Sequence, residues 1–339
     1  MPVVWSDRCL LHEPSAEIWI GVRTPAVETA ARAEAIRARL DARVVEAAPH
    51  GDEALLAVHD ADLLAYLASA WEEWERADMP DQGQDQVVPY VFAHRELGAR
   101  RVPSAVWARP GWFAYDTMTL VGPGTWEAAR AAVDAALTAV DLVLAGESVA
   151  YACTRPPGHH VTHAAYGGSC YLNNAAVAAA ALRERLGGPV AVLDIDAHHG
   201  NGTQEIFRGR DDVRTGSVHV DPGAGWFPHF LGFADESDES NLNLPLASSS
   251  GDGPWLDAVA ELARWANGVA GLVVALGVDA AATDLESPLT VGPDAFREAG
   301  RLLAAIGLPT VIVQEGGYEL GTLGELVRRA LIGFEEARR

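Results

Sequence analysis

The chain has 339 residues, 49% of them hydrophobic, which is enough to bury a substantial core, and no uninterrupted apolar stretch approaches the ~20 residues of a bilayer span. Arginine supplies all 25 basic residues against 47 acidic ones, and the formal net charge of -22 argues against nucleic acid or an anionic membrane as partner. Cys9, Cys153 and Cys170 are odd in number and widely spaced, which argues against a disulfide framework or a cysteine zinc site, and Met1–Asp7 lacks a basic segment followed by an apolar one, so a cytoplasmic enzyme is expected.

A helix is predicted near 25–40. The segment 78–112 is longer than a typical connection and carries Pro80, the run Val87 to Phe92, and Trp107, which marks it as a lid or an interface. A helix near 125–146 and a strand near 149–153 follow, then a helix near 173–186 and strands near 189–195 and 213–220. The remainder reads helix 256–268, strand 271–277, helix 293–306, strand 310–314 and helix 322–336. Gly187-Gly188-Pro189 and Gly307-Leu308-Pro309 mark helix ends before strands. This alternation predicts an α/β fold with a parallel sheet, in one domain over 1–339.

Ligands of open parallel sheets bind beyond the carboxyl ends of the strands, so the residues just after each strand matter most. Four such loops carry reactive side chains: Arg155 to His160, Asp194 to Gly202, Gly277 to Asp279, and Glu315 to Tyr318. Asp196 and His198 are one residue apart, so on an extended segment they share a face. With Asp279 they make an O, N, O donor set that suits zinc with an open position, and that also accepts Fe(II), Mn(II) or Co(II).

The adjacent His159 and His160 read as acid–base groups, because buried imidazoles need their ring nitrogens satisfied. Asp194 and Asn201 could each accept the distal N–H of one histidine. A carboxylate partner favours the imidazolium, whereas an amide leaves the ring largely neutral near pH 7. A bound metal would acidify water and polarise a carbonyl, so amide hydrolysis is the expected chemistry. Tyr318 follows two glycines that permit close backbone approach, and its O–H could serve the developing oxyanion.

These residues, together with Gly167 to Ala176, resemble the histone deacetylase superfamily from Val3 to about Gly333. Asp116, Pro123 to Glu127, Ala234 to Glu236 and Asn241 to Leu246 look more like its bacterial acetylpolyamine amidohydrolase branch. The resemblance implies an arginase/deacetylase-like three-layer fold around a mostly parallel sheet of eight strands. It places Asp196, His198 and Asp279 on one zinc ion, His159 and His160 on the tandem histidines, and Tyr318 on the oxyanion tyrosine. It pairs His160, the principal base and acid, with Asn201, and His159, mainly electrostatic, with Asp194. Ser217, with backbone oxygens of Asp194, Asp196 and His198, falls on a monovalent-cation site for potassium. An insertion comparable to 78–112 implies a homodimer.

Departures bear on the substrate. Ser169, after Gly168, stands where the family usually has one aromatic wall of a narrow channel, while Phe227 looks like the retained opposite wall. The channel is therefore expected to be wider, or refilled by a side chain such as Tyr166, since a lost ring removes ~150 Å² or more of apolar contact. Glu286 resembles the cation gatekeeper of polyamine-selective members, and Asp116 falls on a rim position that contacts substrate. The expected substrate is an N-acylated small cationic amine, acetylpolyamines first. The alternatives are a protein or peptide acetyl-lysine deacetylase, an arginase-like binuclear manganese enzyme, and a non-catalytic binder of acylated amines.

Overall fold

A computed structural model describes residues 1–338. The strands are β1 (Val3–Trp5), β2 (Glu17–Trp19), β3 (Val22–Thr24), β4 (Val44–Glu46), β5 (Val149–Ala152), β6 (Val190–Asp194), β7 (Val213–Val220), β8 (Asn241–Leu246), β9 (Gly271–Leu276) and β10 (Thr310–Gln314). The helices are α1 (Ala30–Arg37), α2 (Glu53–Leu56), α3 (Ala61–Arg76), α4 (Pro110–Phe113), α5 (Thr125–Leu144), α6 (Asn174–Leu186), α7 (Asn201–Phe207), α8 (Asp252–Trp265), α9 (Pro293–Ala304) and α10 (Leu320–Glu336). Eight strands form one sheet in the order β4-β1-β5-β10-β9-β6-β7-β8, with every neighbouring pair parallel. The other two make an antiparallel hairpin.

The sheet is covered on both faces, so its central strands are apolar throughout instead of alternating with polar residues. Side chains still divide by the two-residue period of a strand. Val190, Val192, Val273, Ala275, Val311 and Val313 face a layer built from α3, α5 and α6. Ala191, Leu193, Leu272, Val274, Leu276 and Ile312 face α1, α8, α9 and α10. Full burial of a Val, Leu or Ile side chain stabilises by roughly 1.5–3 kcal/mol, so these two layers fix the sheet in place. The result is the expected three-layer α/β architecture.

The five central strands lie where the apolar runs place them, and α6 shows the expected punctuation. The Asn173 side chain accepts the Ala176 N–H at 2.9 Å, and Gly187 ends the helix at φ +69°. The three sheet strands not read from the sequence are β1, β4 and β8. β1 and β4 have three residues each, too short for a period, and β8 holds Pro245, which is tolerated because that strand is an edge. The helix expected over 25–40 is confined to Ala30–Arg37, because residues 25–29 run out of the hairpin before Thr29 starts the helix. The helix α3 was legible but unread: Leu63, Leu64, Leu67, Ala70 and Trp74 recur at helical spacing and are buried. Most of 78–112 is irregular, with short 3-10 turns, α4, and a bridge from Val87 to Val121. No described helix is long and apolar enough to cross a membrane.

Candidate active site

The strands β5, β10, β9 and β6 are consecutive neighbours, about 4.8 Å apart. The four loops that carry the candidate residues therefore emerge side by side at one sheet edge. Donor atoms of Asp196, His198 and Asp279 all lie within 4.8 Å of one another. His198 Nδ1 is 3.2 Å from Asp196 Oδ1 and 3.0 Å from Asp279 Oδ2. Backbone groups hold the other carboxylate oxygens: Asp196 Oδ2 accepts the Gly316 N–H at 2.7 Å, and Asp279 Oδ1 accepts the Ala197 N–H at 2.8 Å. Gly316 has to be glycine for this approach, because a Cβ there would lie 2.4 Å from Asp279 Oδ2.

Both carboxylates are fully buried, and burial together with Asp196 pushes Asp279 up to about 7. Burial alone would depress His198, but the two acids outweigh it and hold the imidazole well above its usual range. Two buried acids sharing one imidazole make a cradle whose charge a divalent cation would balance, and the O, N, O donors fit zinc.

The tandem histidines sit in contrasting environments. His159 Nδ1 lies 2.8 Å from Asp194 Oδ2, and His160 Nδ1 lies 2.6 Å from the amide oxygen of Asn201. Burial opposes the charged form of His159, yet Asp194 and Asp196 override it and raise the group to about 10. Burial, His159 and His198 drive His160 well below its usual value. One ring is therefore cationic and its neighbour neutral at pH 7. The Glu315 carboxylate shapes this loop by accepting the Gly158 and His159 N–H groups at 2.6 and 3.1 Å.

Tyr318 is half-buried at the same edge. Its N–H donates to Asp284 Oδ2 at 2.6 Å, and the Arg32 guanidinium carbon lies 4.5 Å from its ring centroid. Arg32 also donates to the carbonyls of Glu315 and Gly317, at 2.7 and 2.6 Å.

A cleft of about 520 Å³ opens above these groups, and its walls include His160, His198, Tyr318, Gly168, Ser169 and Phe227. The Phe227 ring meets His160 edge-on at 4.8 Å. Gly168 has φ +61°, and a Cβ there would lie 2.3 Å from His160 Cδ2, so the loop passes directly against the histidine. Ser169, at φ +60°, lines the cleft where the sequence places the missing wall. Tyr166 does not refill it: the ring is fully buried and stacked against Tyr66 and Tyr171 in the core. Glu286 lines the cleft, half-buried. Asp116 does not: its carboxylate accepts N–H groups of Met118, Thr119 and Gly168, and so supports the wall from behind.

The Ser217 hydroxyl is 2.8 Å from His219 Nδ1, and Ser217 pairs with Asp194 in the sheet register. Among the described residues, no hydrogen bond reaches the carbonyl oxygens of Asp196 and His198.

Sequence reading missed Glu17, Glu28 and Arg32. Glu17 lines the cleft from the hairpin, and its Oε1 accepts the Val27 N–H at 3.0 Å. Burial and then Glu286 raise it to about 6. Nothing in the three-residue strand Glu17-Ile18-Trp19 signals this. Glu28 and Arg32 carried a detectable signal, an acid four residues ahead of a base at a helix start.

A covered parallel sheet with an acid–imidazole cluster and paired histidines at its carboxyl edge defines a metal-hydrolase type of site. The histone deacetylase domain profile matches residues 23–333, and the chain belongs to that family. Within it, the similarity is to the bacterial acetylpolyamine amidohydrolase branch. The acetylpolyamine amidohydrolase of Mycoplana ramosa is 36% identical, over 98% of this chain and 99% of its own length. That of Burkholderia pseudomallei is 40% identical over 97% of each. A crystal structure of acetylpolyamine aminohydrolase from Burkholderia pseudomallei superposes with a TM-score of 0.93 at 37% identity, covering 99% of both chains. Family membership and the acid–imidazole cluster support a metal-dependent amidohydrolase.

Proposed function

We propose that the protein is a zinc-dependent deacetylase that hydrolyses the amide of N-acylated small cationic amines, acetylpolyamines first. The observation that carries this is that His198, which belongs to the Asp196–His198–Asp279 cluster, lines the same cleft as two carboxylates, Glu17 and Glu286. Zinc, when bound by those three side chains, supplies Lewis-acid polarisation of the amide carbonyl and acidifies water. His160, neutral beside Asn201, takes the proton from the attacking water and returns it to the departing amine. His159, charged beside Asp194, stabilises negative charge in the transition state. Tyr318 donates its O–H to the carbonyl oxygen as that oxygen becomes anionic. Glu17 and Glu286 attract an ammonium group further along the amine, which selects for charge at a set distance from the scissile bond.

Ser169 in place of a ring supports a wider cleft, hence tolerance of larger acyl groups. The uncapped carbonyls of Asp196 and His198, with Ser217 and Asp194, support a structural potassium ion. The three free, buried cysteines support a reducing, cytoplasmic setting. Residues 1–339 are proposed to act as one catalytic domain with an insertion at about 78–112. Exposed Tyr90, Phe92 and Trp107 in that insertion, with Trp19 and Ile20 nearby in sequence to Glu17, support its use in a homodimer.

The deciding experiment gives the zinc-loaded protein acetylputrescine, acetylcadaverine, acetylspermidine, larger acyl analogues and acetyl-lysine peptides. Fastest turnover of the small cationic amides is expected. Fast turnover of peptides alone would move the assignment to a peptide deacetylase, and no turnover of any would favour a binder.

A further inference from the structure

The chain leaves the hairpin through Thr24, Pro25 and Val27, all of which line the cleft, and the next residue turns inward. That residue, Glu28, is 1% exposed. Its Oε1 accepts from Arg32 Nη1 at 2.8 Å and from Arg155 Nε at 3.0 Å, and its backbone carbonyl accepts from Arg155 Nη2 at 3.2 Å. Arg155 also donates to the Cys9 carbonyl at 3.0 Å. Both guanidiniums are as buried as the acid between them. One buried carboxylate thus sits between two buried cations, with exposed Glu13 reaching only to 3.9 Å of Arg155 Nη2, so removal of the Glu28 charge leaves both guanidiniums short of an anion.

Each arginine leads to a different half of the catalytic apparatus. Arg32 grips the carbonyls of Glu315 and Gly317 and lies over the Tyr318 ring. Arg155 begins the loop that ends in His159 and His160. His12 approaches the free edge of the same carboxylate, with Nε2 3.7 Å from Oε2. Burial and Arg155 keep that imidazole neutral, so it adds no charge to the hub.

We propose that Glu28 is a positioning residue: through Arg32 and Arg155 it fixes the tyrosine loop relative to the tandem-histidine loop. This rests on the catalytic roles proposed above for Tyr318 and the histidines. Its effect should therefore appear in turnover rather than in substrate binding, because the Glu28 side chain does not line the cleft.

The test uses the zinc-loaded full chain labelled with 3-fluorotyrosine, in which Tyr318→Phe identifies one ¹⁹F resonance among the 7 tyrosines. Glu28→Gln should shift or broaden the Tyr318 resonance and lower kcat about 10- to 100-fold, the scale of a small misplacement of reacting groups. KM should stay within about twofold, and Glu28→Asp, which restores the charge, should recover much of the loss. In a Tyr318→Phe background, Glu28→Gln should cost far less than it does alone, since residues acting through one group are non-additive. An unmoved Tyr318 resonance, or a loss equally large in both backgrounds, would overturn the proposal. Should Glu28→Gln not fold, Arg155→Lys, which loosens the same carboxylate from the histidine side, carries the resonance reading with the same two outcomes. If the unmodified protein turned over nothing, the proposed function would fail while the resonance still decided on Glu28.

Discussion

The imidazole of His159 faces the carboxylate of Asp194 at 2.8 Å, whereas one residue along the chain His160 faces an amide oxygen, that of Asn201, at 2.6 Å. Two adjacent rings thereby hold different charges at the same pH. Exchanging the partners should exchange the behaviour. In Asn201→Asp the new carboxylate raises His160, so the base is protonated to higher pH and the acidic limb of kcat/KM moves up. Asp194→Asn should lower activity about 10- to 100-fold, as loss of an orienting partner typically does. A pH–rate profile with an unmoved acidic limb in Asn201→Asp would remove His160 as the base.

Tyr318→Phe deletes only the hydroxyl. If that hydroxyl serves the oxyanion, kcat should fall by about 10²–10³ while KM changes little. Steady-state kinetics on the best substrate of the panel provide the check, and unchanged kcat would refute the role.

Chelation should abolish turnover, and zinc should restore it at one ion per chain by elemental analysis. Two manganese ions per chain would point instead to arginase-like chemistry. Asp279, raised to about 7 by burial and by Asp196, is charged above that pH and protonated below it. Zinc affinity should therefore fall as pH drops through 7, and calorimetry near neutrality should detect proton release on binding. At a thousandfold excess of free zinc over Kd, binding should add about 4 kcal/mol to folding stability, read as a rise in Tm.

Glu286→Gln should raise KM for a cationic amide about tenfold and leave an uncharged amide nearly unaffected, the scale of one lost charge-assisted contact. Glu17, held up to about 6 by burial and Glu286, loses its charge below that pH. KM for the cationic amide should accordingly rise as pH falls through 6, and this dependence should flatten in Glu17→Gln. Equal KM changes for charged and uncharged amides would exclude an electrostatic role.

Ser169→Tyr restores a ring to the open wall. Slender acetylated alkylamines should then bind more tightly, and bulky acyl groups should lose about tenfold or more in kcat/KM, because a buried ring contributes 150–250 Å² of contact. Identical acyl preference in both proteins would show that this wall does not set the cleft width.

Much of this site was legible without coordinates. The one-residue spacing of Asp196 and His198, the paired histidines, and the strand ends that carry them are local features, and local periodicity and strand-end placement suffice to read them. The same holds for β5, β6, β7, β9 and β10, whose apolar runs are long enough to show. The sequence by itself thus determined the fold class and most of the side chains that meet at the candidate site. Only tertiary structure decided that β5, β10, β9 and β6 are neighbours, since strand order depends on crossovers that leave no local trace. It also separated residues alike in sequence. Asp116 turned out to support the Gly168 loop rather than face the cleft, Tyr166 packed into the core, and Glu17 entered the cleft from a hairpin more than a hundred residues away from the histidines. Glu28 shows the limit most clearly: its helical pairing with Arg32 is local, but its grip on Arg155 joins segments 127 residues apart. Side-chain burial and long-range partners arise from the packing of all the layers at once, and no window along the chain contains them.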